Sequence, residues 1–143
     1  LDYARCHCHG CHHLVTELIP GRLWVGNWQE AEMAKKRGLY VITVAHDSPF
    51  NGGDRKFALV DVPGNDVGCF WDAVEAVRTA VEQQRVPVFV HCHGGRSRSV
   101  AVCVGAYRQL KQINLSEAYD QVIEKHDRSR IHPYLSRILT AFD

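Results

Sequence analysis

No apolar run in this chain approaches the ~20 residues that a helix needs to cross a bilayer, which excludes a helical membrane span in these residues. An excess of charge of one sign is missing too. Lys+Arg total 17 against 16 Asp+Glu, a net charge of +1, and that balance gives no electrostatic basis for wholesale binding to nucleic acid or to a membrane surface. From Leu14 onward there are no repeats and no low-complexity tracts, which leaves a globular unit rather than an array or a linker. Six cysteines are present without a paired framework: Cys6, Cys8 and Cys11 sit together, while Cys69, Cys92 and Cys103 are scattered. That usage argues against a disulfide-stapled scaffold and for a reducing compartment, with the cytoplasm as the expected location.

What is there suits one domain. A chain of 143 residues, 45% hydrophobic and 23% charged, can bury roughly 70% of the surface its unfolded form exposes. Residues 14–143 are expected to form a single domain, and a monomer. Residues 1–13 differ in texture, with Cys-His-Cys-His-Gly-Cys-His-His at positions 6–13. Three cysteines and four histidines could offer zinc a tetrahedral Cys3His set. Ligands confined to eight residues, however, are too few to wrap an ion and support its ligands from behind. This segment is therefore read as a terminus and not a domain, and no metal or cofactor is assigned. The chain begins at Leu1 rather than Met, as expected of a fragment or a trimmed chain, so the absence of a targeting segment here proves little.

The body alternates strand and helix signals. Leu23-Trp24-Val25 reads as a short strand, and Asn27 is a cap for a helix through about Arg37, ended by Gly38. Val41 to Ala45 is a strand rich in β-branched residues. A loop at 47–54, built from Pro, Asn-Gly and Gly-Gly, leads to a predicted strand from Phe57 to Val62. A second loop, 63–68, precedes a helix over about 70–84, where Phe70, Ala73, Val74, Val77, Ala80 and Val81 recur at helical spacing. The run Val86 to Val90 is a buried strand that ends at His91. A core helix starts at Ser99, a second follows with Ser116 able to cap it, and a third begins near Pro133, with a stripe of Leu135, Ile138, Leu139 and Phe142. The predicted fold class is α/β, a central mixed, mostly parallel β-sheet flanked by α-helices.

Residues 91–99, His-Cys-His-Gly-Gly-Arg-Ser-Arg-Ser, carry the chemistry. A loop closing into a helix N-terminus offers a phosphate its unpaired backbone N–H groups and the positive end of the helix dipole. His93, Gly94, Gly95, Arg96, Ser97 and Arg98 supply six consecutive amides that can curl into an anion-binding concavity. Gly94 and Gly95 permit positive φ and close approach, and Arg98 adds a bidentate grip on two oxygens. The same field favours the thiolate of Cys92, the nucleophile that a phosphorus centre needs. Ser99 is placed to hydrogen-bond the sulfur when it leaves. A thiolate of this kind is prone to oxidation, so reversible inactivation is expected.

His91-Cys92-x-x-Gly95-x-x-Arg98-Ser99 resembles the signature of the cysteine-based protein tyrosine phosphatase superfamily. The body from about Ile19 to the end is similar to small, atypical dual-specificity phosphatases: Ile19 to Asn27 resembles the family's opening strand, and Glu117-Ala118-Tyr119 and Arg130-Ile131-His132-Pro133 its C-terminal helices. The resemblance implies hydrolysis of phosphotyrosine and phosphoserine/threonine in proteins, a kinase among them, through a phosphocysteine intermediate. It also implies a phosphate or sulfate-like anion in the site and a general acid on a loop before the motif. Asp66, in Val62-Pro63-Gly64-Asn65-Asp66, is the expected acid, with Asp61 and Asp72 as competitors. The interval from Asp66 to Cys92 is shorter than the family pattern implies. Two other functions compete. A lipid phosphatase on the same fold is favoured by Arg96 and His93, but the chain has no basic amphipathic helix to meet a membrane. A non-catalytic phosphoresidue-binding protein would be expected to lack the nucleophile or the acid.

Overall fold

The computed structural model describes residues 16–141. Five strands form one sheet: β1 (Glu17–Ile19), β2 (Leu23–Gly26), β3 (Tyr40–Thr43), β4 (Arg55–Lys56) and β5 (Val88–His91). Their order is β1-β2-β5-β3-β4, with β1 antiparallel to β2 and every other pairing parallel. Helices α1 (Trp28–Lys36), α2 (Val67–Gln83), α3 (Arg98–Lys111), α4 (Leu115–Lys125) and α5 (Pro133–Ala141) cover the sheet. The expected α/β class with a mostly parallel mixed sheet is what the chain adopts. None of these helices is long and apolar enough to cross a membrane.

The central strand explains the layering. All four residues of β5 are buried, as a parallel strand covered on both faces must be. Alternation along the strand sends Val88 and Val90 into the larger apolar cluster, with α2, α3, α4 and α5. Phe89 goes the other way, into a smaller cluster with Trp24, Val41 and the Ala31 and Ala34 face of α1. The carboxyl ends of three parallel strands coincide, because Gly26 and Thr43 are both register partners of His91. In open α/β sheets this end of the strands is where ligands bind.

Local signals placed most boundaries. The Asn27 side chain accepts a hydrogen bond from the Glu30 amide at 2.8 Å, and the Glu30 carboxylate accepts one from the Asn27 N–H at 3.2 Å, a complete capping box for α1. Three expectations need correction. Residues 57–62 are not a strand. The Asn65 side chain takes both the Val60 N–H (2.7 Å) and the Val60 carbonyl (2.6 Å), so the groups that would have continued a ladder close a loop instead. The short β4 lies just before, between the predicted loop at 47–54 and this segment. Helix α2 begins at Val67, not near Phe70, because Asp66 caps it. Helix α4 is capped by Asn114, whose side chain accepts from the Glu117 amide at 2.8 Å, rather than by Ser116. The Cys6–His13 cluster and Phe142 lie outside the described residues.

Candidate active site

The loop from Cys92 to Ser97 joins β5 to α3 at the shared carboxyl edge of the strands. Cys92 is only 2% exposed, and its Sγ stands 3.2 Å from the Ser99 hydroxyl on the first turn of α3. The carbonyls of the loop are held from outside. The Cys92 carbonyl accepts from His91 Nδ1 (2.9 Å), that of His93 from the Trp28 amide (3.2 Å), that of Gly95 from His126 Nε2 (2.6 Å) and that of Arg96 from the Arg130 amide (2.6 Å). In a trans peptide the N–H points opposite to the C=O. Fixing those four carbonyls outward therefore turns the amides of the following residues, His93, Gly94, Arg96 and Ser97, the other way. Those four residues, with Cys92, Arg98, Asp47 and Asp61, line a cleft of about 370 Å³.

Gly95 does not line the cleft; it packs behind it. Its φ is +70°, and a Cβ there would stand 2.5 Å from the Gly26 carbonyl carbon and 2.7 Å from the Asn27 nitrogen. The expectation of special backbone freedom holds at this position. It fails at Gly94, which has no positive φ and nothing within 4 Å of an added Cβ.

Arg98 forms the floor. Its side chain is 4% exposed, and Nη1 donates to Asp47 at 2.7 Å and to the Leu59 carbonyl at 3.0 Å. Nε has no hydrogen-bond partner and lies 3.7 Å from a carboxylate oxygen of Asp61. The other oxygen of Asp61 is buried and also without a partner. Partial burial by itself would raise the Asp47 carboxyl. The hydrogen bond and charge of Arg98 outweigh that and hold it below the ordinary carboxylate range, which keeps Asp47 ionised as the arginine's counter-ion.

His91 is fully buried. Burial lowers it to about 4, against a smaller opposite effect of its hydrogen bond to the Cys92 carbonyl, so it is neutral near pH 7. Its Nδ1–H donates to that carbonyl and its Nε2 accepts from the Thr43 hydroxyl at 2.7 Å. Both ring nitrogens are thus taken up by hydrogen bonds, one of them to the loop, which is the placement a loop-orienting group requires. Cys103 is fully buried in α3, and burial pushes its thiol far up, the behaviour of an inert packing residue. Cys69, Cys92 and Cys103 are all free thiols. No cluster of metal-ligating side chains occurs among the described residues.

The three carboxylates weighed as acids separate cleanly. Asp66 does not reach the cleft: it is the N-cap of α2, and its side chain accepts the Cys69 amide at 3.2 Å. Asp72 lines a different groove of about 430 Å³, with Tyr40, Arg55 and Phe57. Asp61 is in the cleft, and on a bend rather than in the strand expected for it. Sequence reasoning passed over Asp47, Thr43 and His126 altogether. The available signal for Asp47 was its place just after a strand in a parallel sheet, where binding residues gather. His126 carried no local signal.

The family model for the dual specificity phosphatase catalytic domain matches residues 23–142. Dual specificity protein phosphatase Mpk3 of Drosophila melanogaster is 30% identical over 137 residues, which cover 87% of this chain and 33% of that protein. Dual specificity protein phosphatase 4 of Homo sapiens is 39% identical over 101 residues, 67% of this chain and 25% of the relative. The chain thus spans a third or less of the length of these two curated relatives. The crystal structure of human DUSP28 shares the fold, with a TM-score of 0.75 and 20% identity over 89% of this chain and 94% of that one. All the cleft residues fall within the span of the family model, and the chain belongs to the dual specificity phosphatase catalytic-domain family.

Proposed function

We propose that this chain hydrolyses phosphomonoesters of tyrosine and of serine or threonine in proteins, phosphorylated kinases among them, through a phosphocysteine intermediate. One observation carries the reading. A buried cysteine and a buried arginine with a free Nε face the same small cleft as four inward amides, which is a seat for a tetrahedral dianion beside a nucleophile. The Cys92 thiolate attacks phosphorus in line, an S–P bond forms, and the P–O bond to the side chain breaks. The leaving oxygen takes a proton from the Asp61 carboxyl. A water then attacks the phosphocysteine, Asp61 removes its proton, and the S–P bond breaks to release phosphate. The Ser99 hydroxyl, 3.2 Å from the sulfur, stabilises the departing thiolate. Asp61 replaces Asp66 as the proposed acid because it is the cleft carboxylate not committed to a hydrogen bond with Arg98. The free thiols and the need for a reduced nucleophile favour the cytoplasm, and we take the catalytic unit to act as a monomer.

The test is phosphate release from an aryl phosphate, phosphotyrosyl and phosphothreonyl peptides, and phosphoinositides at matched concentration. Cys92→Ser should abolish release, and Asp61→Asn should lower kcat about 10²–10⁴-fold with phosphate binding kept. Full activity of Cys92→Ser would overturn the mechanism, and preference for the phosphoinositides would move the substrate class to lipids.

A further inference from the structure

Two threonine–histidine pairs reach the anion loop, and the chemistry above uses only one of them. The first, Thr43 and His91, fixes the Cys92 carbonyl. The second is built from distant parts of the chain. His126, just past the end of α4, is 1% exposed. Its Nε2 lies 2.6 Å from the Gly95 carbonyl and its Nδ1 lies 2.7 Å from the hydroxyl of Thr16, which leads into β1. A carbonyl only accepts, so Nε2 must carry the proton and Nδ1 must accept from Thr16. The Gly95 carbonyl therefore selects the tautomer, and the Thr16 hydroxyl, which can donate as well as accept, gives Nδ1 the donor it then needs.

We propose that His126, its ring braced by Thr16, is a positioning residue for the anion site: it turns the Gly95–Arg96 peptide so that the Arg96 amide faces the bound phosphate. The other outside anchors are backbone amides, those of Trp28 and Arg130, or the histidine of the motif itself. Among the described residues His126 is thus the one anchor of a loop carbonyl outside the motif that acts through a side chain. The surrounding turn is organised to hold it. Its own carbonyl accepts from the Ser129 hydroxyl (2.6 Å) and amide (3.1 Å). The following Arg128 is tied to the buried Glu30 at 2.8 Å, and the His132 amide donates to Ser97 Oγ at 2.9 Å. Gly95 cannot yield toward Gly26, because the two backbones already touch there. Loss of the His126 bond would leave that peptide free to rotate and an amide lost to the phosphate.

The inference rests on the phosphatase reading, and its test reads anion binding separately from turnover. The dissociation constant of inorganic phosphate and the melting temperature are measured for His126→Phe, which keeps ring bulk without a donor, and for His126→Gln, whose amide nitrogen can replace Nε2. His126→Phe should bind phosphate about tenfold more weakly, in line with the loss of one loop donor, and His126→Gln should recover most of the affinity. Unchanged binding in folded His126→Phe overturns the proposal. So does equal weakness of the Gln variant, which would make the effect one of packing. If His126→Phe does not fold, Thr16→Val decides: it removes the hydrogen bond that braces the ring and should weaken phosphate about twofold or more, and wild-type affinity there overturns the proposal. Absence of turnover on every phosphoester by a wild-type protein that binds phosphate would instead sink the phosphatase reading alone.

Discussion

Replacing Gly95 by alanine should be among the most damaging single-methyl changes this chain can suffer. The new Cβ would lie 2.5 Å from the carbonyl carbon of Gly26 and 2.7 Å from both the Gly26 oxygen and the Asn27 nitrogen. These are backbone atoms, so no rotamer change relieves the overlap. A residue with a Cβ also gives up about 1–2 kcal/mol at a left-handed φ such as the +70° here. Overpacking of a close contact adds about 1–3 kcal/mol. Together these predict a loss of about 2–5 kcal/mol, a large part of the 5–15 kcal/mol or so that stabilises a typical domain. The control is one residue away. Gly94 has an ordinary φ and nothing within 4 Å of an added Cβ, so Gly94→Ala should stay within about 0.5 kcal/mol of wild type. Urea unfolding of the three proteins at one pH measures both differences. If Gly95→Ala and Gly94→Ala are equally stable, the packing of the loop against Gly26 is not what fixes its shape.

Three further outcomes follow from the same geometry. Asp66→Ala should cost about 1 kcal/mol of stability, as loss of a helix cap does, and leave kcat on an aryl phosphate within twofold or so; a large fall in kcat would return the proton donor to Asp66. Arg98→Lys should weaken inorganic phosphate about tenfold or more, because one ammonium cannot hold Asp47, the Leu59 carbonyl and the ligand together, and calorimetry that finds equal affinity would remove Arg98 from the site. Because burial holds His91 near 4 in the folded chain, the unfolded chain takes up a proton between pH 6.5 and about 4 that the folded chain refuses. Stability should fall as pH drops through that window, by at most about 3 kcal/mol from this residue, with His126, lowered mainly by burial, pulling the same way. The stability gap between wild type and His91→Asn in urea should narrow from pH 7 to pH 4.5, and a constant gap would refute a neutral His91.

The parts of this molecule that could be read ahead of the structure were those encoded locally. The capping box at Asn27 and Glu30, the stripe from Phe70 to Val81 and the β5–loop–α3 sequence each state their conformation within a few residues. The segment 57–62 did not. Its apolar content suits a strand, and what prevents one is the side chain of Asn65 occupying the Val60 backbone. His126 was equally silent, because its partners, Thr16 and Gly95, are far away in the chain and meet only once α4 has packed beside β1.

Asp66 shows how one local pattern admits two readings. Asp66 stands in a Pro-Gly-Asn loop before a helix, and such a position attracts a carboxylate for two unrelated reasons: a mobile acid and a helix cap. Sequence does not separate them. Electrostatics does, because the unsatisfied amides at the start of α2 are bonded at short range and claim Asp66, whereas Asp61 has no such competitor. Choosing Asp61 also lengthens the interval to Cys92, which was too short when measured from Asp66. Asp47 completes the division of labour. Bound to Arg98 and held ionised, it is not suited to donate a proton, but it fixes the guanidinium that the proposed mechanism sets against the phosphate. The two carboxylates of the cleft thus differ in one respect on which the proposed mechanism rests: one is hydrogen-bonded to the arginine and the other stands 3.7 Å from it.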